Sequence, residues 1–213
     1  IINPLDMSIN NLAPQKNILL FFLPVLLSML IMFSGIMVGT TIMLQERFSP
    51  AFFRNAIAPT SQIIHIIAHT LTGVSIVVIQ IVCIVVIAAL LLGISLPAIA
   101  LKMFIASLLA AGVFTLLGML IAQLFKQQET AILTAIGICV VFLSFSSIII
   151  PVEQMHPLVG NMVQYSPFFI VEEAIRQIFV HQISWLHLAP LLYLIAYAGL
   201  LISLLLYINK KRR

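Results

Sequence analysis

The chain has 213 residues, of which 62% are hydrophobic and only 8% charged, and it carries a net charge of +4. An ordinary soluble domain has about 25% charged residues. This composition excludes a soluble catalytic or binding module and leaves lipid as the solvent for most of the chain.

A transmembrane helix needs about 20 mostly apolar residues. Five stretches meet that need: 17–44, 61–94, 97–125, 131–150 and 185–208. Residues 3–15 before them are polar, the chain opens on Ile1, and no signal peptide is visible. We expect residues 1–16 to be the tail of a missing extracellular region and 17–213 to be one membrane domain.

The first stretch contains Pro24, which predicts a kink, because proline lacks a backbone donor and crowds the preceding turn. It also contains Gly35 and Gly39 in a Gly-x-x-x-Gly pattern, a spacing that lets helix backbones approach closely in lipid. Chance placement of glycines in an apolar helix accounts for the pattern equally well.

Residues 45–59 form the longest cytoplasmic connection between spans. They mix Glu46, Arg47 and Arg54 with Phe48, Phe52 and Phe53. Ser49 as N-cap and Pro50 in the first turn predict a short helix, which Pro59 stops. Such a helix anchors a turn at the interface or docks a partner through its Phe and Arg residues. The segment alone does not separate the two.

The second stretch, at 1.5 Å per residue, runs about 50 Å against a hydrocarbon core of about 30 Å. Its first two turns are expected to project into the cytoplasmic interface. His65 and His69 lie there, four residues apart on one face, which is metal-ligand spacing. No carboxylate or cysteine accompanies them in sequence, and the Glu of a zinc-protease helix is absent. The expectation is an interfacial polar face and no metal. The third stretch carries a small-residue face of Ala106, Ser107, Ala110, Ala111 and Gly112. Cys83 and Cys139 sit inside apolar stretches and read as small core residues.

Residues 151–185 are too polar and interrupted to span alone, with Glu153, His156 and Pro167 among them. Two short helices dipping into the outer leaflet, 155–165 and 167–181, fit them best. The last stretch ends in Lys210, Lys211, Arg212 and Arg213, an orientation anchor beside a span rather than a nucleic-acid site. Alternating the connections puts seven Lys and Arg on one side and three on the other. Positive charge marks the cytoplasmic face, so the C-terminus is expected there.

The order and spacing of these features resemble the permease subunits of type-2 ABC exporters, from about Phe22 to the basic tail. In that family a short cytoplasmic coupling helix with an acidic-basic start, here Glu46-Arg47, follows the second span. A re-entrant helical pair lies outside, between the last two spans, after a turn like Ser146-Ser147 with Pro151. The family typically has six spans, so the resemblance implies that the first is missing here.

The resemblance implies an all-α polytopic helix bundle with five transmembrane helices, a cytoplasmic coupling helix and an outer re-entrant pair. It implies an exporter permease in the plasma membrane that is not itself an enzyme. Glu46, Arg47, Phe48, Phe52, Phe53 and Arg54 would couple to a separate ATPase subunit. Glu153, Pro167, Glu172, Glu173 and Arg176 would shape the outer gate. Gly35 and Gly39 would face a second permease copy. No Gly-x-x-x-x-Gly-Lys-Ser/Thr loop occurs, so ATP and magnesium would belong to the ATPase and this chain would bind no cofactor. The alternative is a secondary transporter or channel, which usually places ionisable residues within its spans. The interiors of these stretches hold none. An intramembrane enzyme would need facing polar groups, and only hydroxyls, Gln80 and the interfacial histidines are present.

Overall fold

The computed structural model describes residues 15–49, 62–92, 96–144, 146, 160, 163–180 and 189–211. They form six helices: α1 (Gln15–Phe48), α2 (Gln62–Leu92), α3 (Leu96–Leu124), α4 (Gln128–Ser144), α5 (Pro167–Val180) and α6 (Ala189–Lys211). All the secondary structure among the described residues is helical, and the all-α bundle expected from hydropathy is what is found.

Four helices hold stretches long and apolar enough to cross a membrane: Phe22–Phe48, Ile63–Ile87, Leu101–Leu124 and Pro190–Lys210. The fifth expected span, 131–150, is represented by α4, whose 17 described residues rise about 26 Å. That falls just short of a hydrocarbon core of about 30 Å. α1 runs unbroken through Pro24, and the Ser28 hydroxyl donates to the Pro24 carbonyl at 2.8 Å. Other hydroxyls do the same within their own helices, such as Thr41 to Met37 (2.7 Å) and Thr70 to Ile66 (2.7 Å). In lipid, where water is absent, this satisfies a polar group locally.

Helix α3 lies at the centre. In its most apolar stretch 61% of residues are buried, against 56% in α1, 22% in α2 and 17% in α6. α1 and α3 are therefore the inner pair, while α2 and α6 turn most of their surface outward. The register shows the directions. Thr40 of α1 donates to the Gly118 carbonyl of α3 at 3.1 Å, and Arg47 donates to the Phe125 carbonyl at 2.8 Å. Both pairs are 78 residues apart, and a constant difference means that α1 and α3 run parallel. By contrast, Gly73 of α2 faces Thr115 and Val74 faces Gly112. Thr70 meets the Met119 sulfur. Partner numbers here rise as the others fall, so α2 runs antiparallel to α3.

The glycine pair has a use inside the chain. A Cβ on Gly39 would lie 2.2 Å from the Thr115 carbonyl oxygen, and one on Gly35 would lie 2.7 Å from Phe114 Cβ. Gly118 returns the contact, with a Cβ there 2.2 Å from the Ile36 carbonyl oxygen. The expectation that Gly35 and Gly39 face a second copy is thereby corrected. Their surface is filled by α3 of the same chain, backbone against backbone. The small face of α3 is also internal, with Ala106, Ser107, Ala110 and Ala111 buried.

Candidate functional site

The last turn of α1, the first turns of α2 and the end of α3 converge at one end of the bundle. Glu46 and Arg47 belong to this last turn, together with Phe48. They continue α1 rather than opening a separate short helix, which corrects the sequence expectation for those three residues. The other expected coupling residues, Phe52, Phe53 and Arg54, lie outside the described residues.

Arg47 and Glu46 hold this end together in different ways. The Arg47 guanidinium donates to the Phe125 carbonyl just past the end of α3. A cation at a helix C-terminus meets unpaired carbonyls and the negative end of the helix dipole, so the placement is favourable. Glu46 turns the other way. One carboxylate oxygen contacts Nε2 of His69, and the other lies 3.8 Å from Nδ1 of His65. Phe48 stands 55% exposed beside them, leaving an aromatic surface at the point where the chain leaves α1. Leu44, Ala122 and Ala131 pack beneath as a small apolar cluster that brings the start of α4 to the same end.

The three residues Glu46, His65 and His69 also form a possible ligand set, since one donor atom from each lies within 4.8 Å of the others. No carboxylate stands beside the histidine pair along the chain. The carboxylate comes from the preceding helix. The signal was available, because Glu46 ends one span and His65 opens the next on the same side.

The expected outer-gate residues fall partly within view. Glu153 lies outside the described residues, as does most of the expected helix 155–165. Pro167 opens α5, where its missing N–H costs nothing and its fixed φ suits the first turn. α5 packs against α1, α3 and α6. The Tyr197 hydroxyl of α6 donates to the Tyr165 carbonyl just ahead of it. Glu172 is 1% exposed and is paired with Arg176 one turn on. Glu173 sits on the next face and accepts a 3.0 Å hydrogen bond from Gln177. Among the described gate residues, Glu172 and Arg176 form a unit, with the Glu172 side chain buried and a quarter of the Arg176 side chain accessible.

A family model described as ABC-2 type transporter matches residues 6–180. No curated protein and no solved structure matches the chain.

Proposed function

The chain belongs to the ABC-2 type transporter family, and from that premise we propose that it is the permease subunit of an ATP-driven exporter. It forms part of the translocation path, while a separate ATPase chain binds and hydrolyses ATP with its magnesium. It works with a second permease copy in the plasma membrane, its C-terminus cytoplasmic. This chain contributes no catalytic group. Its task is to change shape between inward-open and outward-open arrangements, and a partner can bias that equilibrium only through contacts that differ between the two.

The observation that carries the reading is the junction at Glu46 and Arg47. These adjacent residues fasten α1 to α2 through His65 and His69, and to α3 through the Phe125 carbonyl. A force on the 45–59 segment is thus delivered to three helices at once. Phe48, with Phe52, Phe53 and Arg54, supplies the aromatic and basic chemistry of a docking hot spot. α5, with Pro167, Glu172, Glu173 and Arg176, serves as the outer gate, and Glu153 is assigned to the same gate.

Purification of the chain with its partner ATPase tests this. Replacing Arg54 and Phe52 by Ala should reduce ATPase co-purification and transport-coupled turnover while membrane insertion persists. Undiminished complex formation and turnover in that double variant would count against docking through this segment.

A further inference from the structure

We propose that Glu46, His65 and His69 bind a divalent transition metal, with zinc the best fit to their chemistry. His65 and His69 stand one turn apart on α2, their ring centroids 6.5 Å apart and their planes inclined by 27°. Both rings are partly exposed and face Glu46, which reaches them from the last turn of α1. The carboxylate offers one oxygen to each imidazole. In tetrahedral zinc sites the bonds are about 2.0–2.2 Å and neighbouring donors therefore about 3.4 Å apart. Here the three donor atoms lie within 4.8 Å of one another, so modest side-chain rotation closes the set around an ion.

The contact between Glu46 and His69 also suits an ion. Nε2 of His69 is buried and faces the Glu46 carboxylate, a nitrogen and an oxygen that either a proton or a metal can join. A metal between the two would satisfy both, taking a nitrogen lone pair from one side and a carboxylate oxygen from the other. The donor set decides the class of ion. Two imidazoles and one carboxylate suit zinc and its neighbours, while calcium and magnesium prefer oxygen alone. Three protein ligands leave a fourth position for water or a partner's side chain. The ion would join the end of α1 to the start of α2 and so fix the span of the connection between them, whatever docks on it.

The test uses the full chain purified in detergent and stripped with EDTA, then titrated with zinc chloride by calorimetry and with cobalt chloride by visible absorption. One zinc should bind per chain, and cobalt should give the intense visible bands of a four-coordinate site. His65→Ala, His69→Ala and Glu46→Gln should each weaken zinc binding by about tenfold or more, the scale on which even residues behind the ligands act. A variant in which His156, His181 and His187 are all replaced by Ala keeps the proposed ligands and should bind as the parent does. The proposal is overturned if the parent takes up no zinc, which leaves the cluster a plain ion pair. It is equally overturned if the triple variant loses binding, or if the His65→Ala and Glu46→Gln chains bind zinc with parental affinity.

Discussion

Glu172 is a carboxylate with almost no access to solvent, and Arg176 pairs with it one turn on. Breaking a buried pair by removing one partner strands the other charge, a far larger penalty than the few tenths of a kcal/mol assigned to an exposed pair. Arg176 keeps a quarter of its side chain accessible, which softens the effect. Arg176→Ala should therefore cost about 2–3 kcal/mol and lower the melting temperature in detergent. Glu173→Ala loses only a bond to Gln177 and should melt close to the parent. Equal melting of the two variants would show that the Glu172 carboxylate is not stranded. Arg47→Ala, which loses the charged donor to the Phe125 carbonyl, should also lower the melting temperature, by a cost of about 1.5 kcal/mol or more.

Between elements, the α1–α3 contact rests on missing side chains. In lipid, apolar side chains gain little by leaving acyl chains for one another, so close backbone approach has to carry association. Gly39→Ala and Gly118→Ala each drive a methyl into a carbonyl of the facing helix, and both should part the helices and lower thermal stability. Gly137 and Gly199 face open space, so alanine there should be neutral or slightly stabilising, since Gly costs about 0.5–1 kcal/mol relative to Ala within a helix. If all four variants melt alike, the packing account fails. Hydropathy placed these helices to within a few residues at most ends, because length and oil content suffice for that. It could not say which side of α1 meets which neighbour. A helix apolar all round carries no periodic stripe, and both its protein and its lipid faces are oily. Gly118 completes the facing surface but lies outside the small-residue run at 106–112, so the pattern at Gly35 and Gly39 does not by itself name its partner. The Glu46–histidine cluster draws its members from two helices, so spacing along one helix does not reveal it, and only the succession of Glu46 and His65 across one turn of the chain points to it.

For the molecule as a whole, α2 and α6 turn the largest share of their apolar stretches outward. Ile79 is 65% exposed and Leu200 58%, whereas Ile36 is fully buried. Cysteines at Ile79 or Leu200 should cross-link between two copies, and a cysteine at Ile36 should not. A cross-link at Ile36 alone would restore the α1 face as the interface. Sidedness is open to a direct check. A cysteine at exposed Lys210 should react with an impermeant thiol reagent only after permeabilisation, and one at exposed Tyr165 should react in intact cells. The reverse pattern would turn the protein over and remove the ATPase from the Glu46 end.

The parallel pairing of α1 with α3 has a consequence for how the protein is made. The residues that join them are 78 positions apart, and a ribosome adds about 5–20 residues per second. For roughly 4–16 seconds the notched face of the first helix is in the bilayer before the helix that fills it has been synthesised. During that interval its neighbours are lipid, the insertion machinery or α2. A chain stalled before residue 96 would keep its sticky face uncovered, which makes truncated copies natural targets for membrane quality control.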